Sequence, residues 1–203
     1  MINSSYITFQ KISFGFNGKE ILHDFNLEIM KDKHTVLEGE SGSGKSTILK
    51  SLLGFLTPNK GSIIVDGQQL HPQKVRQKTA WLPQDLNLGD GSVREVMKRP
   101  FSFKVNQSKK DLDFAGSLES LGVPADHLEK KFRDLSTGQR QRVGVAICYL
   151  LDKPLLLLDE PTAALDRASK QKVADLLLDQ KRTIISTSHD PFWVDLADNV
   201  IAL

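Results

Sequence analysis

Residues 39–46 read Gly39-Glu40-Ser41-Gly42-Ser43-Gly44-Lys45-Ser46, a full match to G-x-x-x-x-G-K-[ST]. The chemistry needs these residue types. Glycines let the backbone curl so that successive N–H groups point at phosphate oxygens. The N-terminus of a following helix adds its partial positive charge. Lys45 is placed to reach the β- and γ-phosphates, the Ser46 hydroxyl to ligate Mg²⁺, and Thr47 to add a contact to the α-phosphate. The motif indicates nucleotide binding and does not choose between a kinase, a GTPase and an ATPase.

A second group lies at Leu155-Leu156-Leu157-Leu158-Asp159-Glu160. A buried strand that ends in two carboxylates delivers them where open α/β sheets bind ligands. Side chains alternate along a strand, so the two acids are expected to do different work. Asp159 is expected to hold Mg²⁺ through water, and Glu160 to polarise the water that attacks the γ-phosphate.

The elements that must position these groups follow from the apolar pattern. Ile7 and Phe9 alternate with polar neighbours, and the alternation resumes out of phase at Ile12, Phe14 and Phe16, which predicts a bulge near Gln10-Lys11. Asn17-Gly18 and Asp66-Gly67 read as turns, and Phe25, Leu27 and Ile29 as one face of a strand. Further strands are predicted at 35–37, 62–65, 155–158, 183–187 and 199–203, and helices at 47–55 and 168–179. Residues 86–151 read as mainly helical, with breaks at Pro100 and Gly122-Val123-Pro124. The whole predicts an α/β fold with a parallel core, an antiparallel β entry and a helical insertion.

Composition bounds the rest. Among 203 residues, 27 are Lys or Arg and 25 Asp or Glu, a net charge of +2, which argues against a nucleic-acid binder working by bulk electrostatics. Cys148 is the only cysteine, so an internal disulfide is excluded. The start lacks the basic and apolar regions of a signal peptide, and no apolar run approaches the ~20 residues of a membrane span. The expectation is a single domain that does not cross a membrane by itself.

Together these residues resemble the ATP-binding-cassette (ABC) ATPase family. Leu135-Ser136-Thr137-Gly138-Gln139 is similar to the family signature L-S-G-G-Q and precedes Asp159-Glu160 by one helix. Gln84 stands where the family has its Q-loop glutamine, Ala163-Ala164-Leu165-Asp166 resembles the D-loop, and His189 matches the switch histidine. Phe16 stands where the family stacks an aromatic ring on adenine. The resemblance spans residues 6–203.

It implies a P-loop NTPase core with a β subdomain over 1–84 and 153–203, and a helical signature subdomain over 85–152. It implies ATP and Mg²⁺ as cofactors. Glu160, His189, Gln84 and Lys45 take catalytic roles. The cation is held by Ser46, Asp159 and Gln84. The nucleotide is held by Phe16, by 39–47, and across a subunit boundary by Ser136, Thr137, Gly138, Gln139 and Asp166. Two copies then pair head to tail with ATP between them, as a homodimer, and act on a separate membrane-spanning permease from the cytoplasmic face of the membrane. No nucleic-acid partner is expected. The permease contact is expected at 86–103, with Met97, Pro100, Phe101 and Phe103.

Two positions depart from the family pattern. Thr137 replaces a signature glycine, so that backbone position is expected to be ordinary. Ala163 replaces the D-loop serine and loses a hydrogen bond between subunits. With fourteen residues after His189 in a chain of 203, a minimal cassette without a regulatory extension is expected. The layout resembles small bacterial subunits of metal-, lipid- or peptide-related systems, iron export among them. Weighed beside an energy-coupling transporter ATPase are three others: a soluble family member of DNA repair, chromosome maintenance or translation, a weakly hydrolysing regulatory module, and a small-molecule P-loop kinase.

Overall fold

A computed structural model describes residues 5–16, 18–108, 111–179 and 181–203. The side chains of Phe16 and Lys19 lie outside that description, as does Asn17 of the expected first turn. The chain opens with two long strands, β1 (Ser5–Phe16) and β2 (Lys19–Met30), paired antiparallel. The ladder slips between Phe9 and Ile12, and Lys11 sits there at φ 45°. This is the predicted bulge, and it lets Ile7, Phe9, Ile12 and Phe14 all turn to one core. Strands β4 (Lys60–Val65) and β5 (Gln68–Gln69) complete a sheet of order β2-β1-β4-β5. The turn between them is Asp66-Gly67, with φ 54° and 72°.

The second sheet is parallel throughout. It holds β3 (His34–Glu38), β6 (Thr79–Leu82), β7 (Leu155–Asp159), β8 (Thr183–Thr187) and β9 (Asn199–Ala202) in the order β6-β7-β8-β3-β9. Side chains alternate across it, and each face has its own core. Leu37, Leu155, Leu157 and Ile185 pack toward α1 (Lys45–Leu52) and the antiparallel sheet. Val36, Leu156, Leu158 and Ile184 pack toward the remaining helices. These are α3 (Val93–Lys98), α4 (Phe114–Ser120), α5 (Thr137–Leu151), α6 (Arg167–Leu178) and α7 (Pro191–Val194). Burying the four leucines of β7 contributes on the order of 1.5–3 kcal/mol each.

The structure differs from the sequence expectations in several places. Helix α1 ends at Leu52 rather than 55, because Gly54 turns left-handed at φ 69°. Among the described residues of the 86–151 stretch there are only three α-helices, joined by 3₁₀ turns. Pro100 does not end the structure; it converts α3 into a 3₁₀ turn over Arg99–Ser102. Strands β5 and β6, with α2 (Pro72–Gln77) between them, were not expected at all. Met97 is fully buried and Phe101 packs on Phe114, so only Phe103, 61% exposed, stands well clear of the surface in the apolar set at 97–103.

Candidate active site

Strand β3 ends at Glu38 and the chain runs through Gly39 into a loop whose bends use left-handed backbone at Gly42 (φ 88°) and Gly44 (φ 106°). Gly44 is the N-cap of α1, and it offers no side-chain acceptor to the helix. A Cβ on Gly44 would also press on Ile21 and Leu22 at 3.1–3.2 Å, so only glycine fits without displacement. The first N–H groups of α1 therefore remain available to an anion. Lys45 Nζ folds back on the loop and donates to the Gly39 carbonyl at 2.6 Å and the Glu40 carbonyl at 2.9 Å.

Asp159 completes the β7 alternation on the Leu155/Leu157 side, which is the side of α1. There the Ser46 hydroxyl donates to Asp159 Oδ1 at 3.2 Å. Glu160 does not continue the strand. It takes a left-handed φ of 54°, which swings its carboxylate away from the strand alternation. The two acids do differ in surroundings, but this turn is the cause and strand alternation is not. Glu160 Oε1 lies 3.0 Å from His189 Nδ1. The carboxylate is nearly buried at 10% exposure, whereas the histidine is 78% exposed.

The Glu160 turn is fixed from two sides. Its amide donates to Thr187 Oγ1 at 3.0 Å and to the Thr187 carbonyl at 3.2 Å. Its own carbonyl, with that of Pro161, accepts from Gln141 Nε2 of α5 at 3.1 and 3.2 Å. Beyond His189, Asp190 caps α7 and accepts from Thr162 Oγ1 at 2.8 Å and Lys170 Nζ at 2.7 Å. Partial burial pushes the Asp190 carboxyl upward, but Lys170 and Thr162 outweigh it and hold it below the usual carboxylate range.

A cavity of about 470 Å³ gathers most of these groups. It is lined by Gly39, Glu40, Ser41, Gly42, Gly44, Lys45, Ser46 and Thr47, together with Gln84, Asp159, Glu160 and His189. Ser43 is not in the lining; its Oγ is buried without a partner. Ile21 of β2, which was not singled out from the sequence, also lines it.

The signature residues stand elsewhere. Ser136, Thr137, Gly138 and Gln139 line no part of this cavity. Ser136 caps α5 with Gln139 in a reciprocal capping box. The helix begins at Thr137, so Thr137 holds an ordinary helical conformation, as expected. Gly138 abuts the Ala164 carbonyl, 3.0 Å from where a Cβ would stand. Asp166 caps α6 through the Ser169 amide at 2.7 Å, which holds its carboxyl low, and does not reach the cavity. Gln84 borders both this cavity and a second hollow of about 390 Å³ that includes Thr137, Arg140 and Gln141.

Among the described residues no group of three or more His, Cys, Asp or Glu could hold a metal ion. A hard divalent cation needs less from the protein when a phosphate shares it. The Ser46 hydroxyl and the Asp159 carboxylate, already in contact beside the phosphate loop, fit Mg²⁺ bound with a nucleotide. Thr187 and Gln141 were not singled out from the sequence. A threonine in an apolar strand and a glutamine in a helix carry no distinguishing type, and only the register Asp159↔Thr187 reveals the first.

Comparison with known proteins agrees with this arrangement. The family model described as "ABC transporter" matches residues 22–163. The petrobactin import ATP-binding protein FpuD of Bacillus anthracis is 32% identical over 207 residues, covering 96% of this chain and 76% of that protein. The achromobactin transport ATP-binding protein CbrD of Dickeya dadantii is 35% identical over 198 residues, covering 91% and 73%. The solved structure of a bacterial Atm1-family ABC exporter with ATP bound superposes with a TM-score of 0.86 at 26% identity, covering all of this chain but 37% of the exporter's. No helix among the described residues is long and apolar enough to cross a membrane. With its phosphate loop, paired acids and signature-like helix start in family order, the chain belongs to the ABC transporter family as an ATP-binding cassette.

Proposed function

We propose that the chain is the energy-coupling ATPase subunit of an ABC transporter, and that it works as a head-to-tail homodimer on a separate membrane-spanning permease at the cytoplasmic face. One observation carries the reading. The phosphate loop, Asp159, Glu160 and His189 converge on one cavity, the set that γ-phosphate hydrolysis requires. The helix N-terminus and Lys45 bind the triphosphate, Lys45 exchanging loop carbonyls for phosphate oxygens. Ser46, Asp159 and Gln84 would hold Mg²⁺, which would supply neutralisation of the phosphate charge. Glu160 orients a water against the γ-phosphorus and takes its proton as the bond to the β–γ bridging oxygen breaks. His189, bonded to Glu160, faces the same phosphate.

The position of the signature supports the dimer. Ser136 and Gly138 stand at an exposed helix start that faces no phosphate of its own chain. A second copy turned head to tail presents that helix start, with its donors, to the uncovered side of the triphosphate. Asp166 and Ala163 then lie at the boundary. In this reading 1–84 and 153–203 form the nucleotide-binding core, and 85–152 carry motion to the permease. The petrobactin import and achromobactin transport relatives, and the exporter with ATP bound, support transport as the purpose.

The test is steady-state phosphate release with Mg-ATP. Purified chain, alone or with its membrane partner, is expected to turn over ATP. Glu160→Gln is expected to abolish turnover, retain ATP and dimerise. Turnover unchanged in Glu160→Gln would sink the role given to Glu160. Recovery of Glu160→Gln from native membranes with a soluble partner, and no multi-span protein, would sink the transporter assignment.

A further inference from the structure

We propose that Thr187 is a positioning residue for both acids, its hydroxyl setting which oxygen of Asp159 is presented to the divalent cation. This rests on the reading of Asp159 as the carboxylate on the metal side. Strand register places Thr187 opposite Asp159 across β7 and β8. Thr187 Oγ1 is 2.7 Å from Asp159 Oδ1 and 3.0 Å from the Glu160 amide nitrogen. A hydroxyl carries one proton and two lone pairs. The amide can only donate, so the hydroxyl accepts from Glu160, and its single proton goes to Asp159. Thr187 is fully buried, so water does not replace either bond.

Asp159 Oδ1 thus receives two hydroxyls, Thr187 and, more distantly, Ser46 at 3.2 Å. Among the described residues Oδ2 receives no hydrogen bond. When a cation takes the Ser46 oxygen, Thr187 remains as the donor within the chain that keeps Oδ1 in place and leaves Oδ2 to the cation or its water. Two residues further, His189 meets the Glu160 carboxylate at 3.0 Å. One strand end therefore orients Asp159 directly and grips Glu160 at both its amide and its carboxylate.

The test compares Thr187→Val, which keeps shape without the hydroxyl, with Thr187→Ser, which keeps the hydroxyl. Val leaves the Glu160 amide its bond to the residue 187 carbonyl, so the turn itself survives. Thr187→Ala serves as a second variant without the hydroxyl. The full chain is titrated with Mn²⁺ in the presence of ADP and followed by electron paramagnetic resonance. ADP affinity is measured separately in EDTA. Loss of a hydrogen bond to a charged group corresponds to about tenfold or more. Val and Ala are expected to bind Mn²⁺ about tenfold more weakly, with ADP affinity in EDTA unchanged, and to lose kcat rather than KM. Ser is expected to restore both to within about twofold. Wild-type Mn²⁺ binding in Val, or Ser as weak as Val, overturns the proposal. Absence of nucleotide-dependent Mn²⁺ binding in the wild type overturns the underlying reading of Asp159 instead.

Discussion

Gln141 Nε2 lies 3.1 Å from the Glu160 carbonyl and 3.2 Å from that of Pro161, so one amide on the signature helix holds the turn that presents the proposed catalytic carboxylate. Gln141 also borders the hollow it shares with Gln84 and Thr137. A shift of α5 therefore acts on the Glu160 turn through this side chain.

Gln141→Leu keeps most of the volume, leaves the buried Pro161 carbonyl without a donor, and leaves the Glu160 carbonyl only the Ala163 amide at 3.2 Å. The expected loss of stability is of order 2 kcal/mol, or roughly 4–8 °C in melting temperature. Phosphate release is expected to fall about tenfold with ATP affinity within twofold of wild type. A variant that melts lower yet hydrolyses at the wild-type rate would remove Gln141 from the control of Glu160.

A pH dependence is written into the neighbouring strands β3 and β8, at His34 and Ser186. Trp193 Nε1 donates to Ser186 Oγ at 2.9 Å, and Ser186 Oγ lies 2.9 Å from His34 Nε2. His34 Nδ1 faces the Leu196 carbonyl at 3.3 Å, which can only accept, so Nδ1 carries the proton and Nε2 accepts from Ser186. Burial lowers the His34 pKa from its ordinary 6.5, with the Leu196 carbonyl and Asp198 opposing in part. The unfolded chain then binds the proton more readily than the folded one. Stability is full above 6.5 and falls as pH drops through 6.5, by at most about 1.4 kcal/mol per pH unit, levelling off below the folded value. Urea midpoints from pH 7.5 to 5 are expected to show this decline, and His34→Gln to flatten it. An equal decline in both proteins would assign the effect to other groups.

Cys148 faces no solvent. Burial pushes its thiol up to about 12, with Arg182 opposing. At neutral pH the thiolate fraction is on the order of one in 10⁵. A thiol reagent is expected to leave the folded protein unmodified over an hour and to label it fully in denaturant. Rapid labelling without denaturant would show that α5 opens locally.

The bulge in β1 has a partner across the sheet. Gly61 takes φ 83°, and a Cβ there would stand 2.3 Å from the Lys11 carbonyl oxygen and 2.4 Å from that of Gln10. Gly61→Ala combines a left-handed conformation with a backbone clash, a loss of roughly 3 kcal/mol. A melting temperature lower by roughly 6–12 °C is expected. A shift under 2 °C would mean that the bulge relaxes freely.

The parts of this site that could be read in advance were those whose chemistry restricts residue type. Only glycine serves at Gly42 and Gly44, a lysine and a hydroxyl must follow, and an apolar strand must deliver Asp159 and Glu160. The bulge at Gln10-Lys11 was legible because a change of phase is a property of the chain alone. Gln141 and Thr187 were not, since their importance comes from what tertiary pairing sets opposite them. The left-handed turn at Glu160 was hidden because glutamate does not advertise positive φ as glycine does. Residues 68–82 were missed for another reason. Gln68-Gln69 is polar, α2 has one buried residue, and β6 is only four residues long, so no period had room to appear.

The order β6-β7-β8-β3-β9 sorts the cavity wall by anchorage. Asp159, His189 and the phosphate loop leave β7, β8 and β3, each bonded to a strand on both sides. Gln84 leaves β6, which is bonded to β7 alone. Moving an interior strand breaks two ladders, and moving a border strand breaks one. The groups that would hold the reacting atoms are thus mounted on the stiff middle of the sheet, and Gln84, which borders both hollows, hangs from its compliant margin. The second hollow therefore has one yielding wall and one tied wall: the Gln84 loop can shift with a border strand, whereas Gln141 on the opposite element is bonded straight to the Glu160 turn.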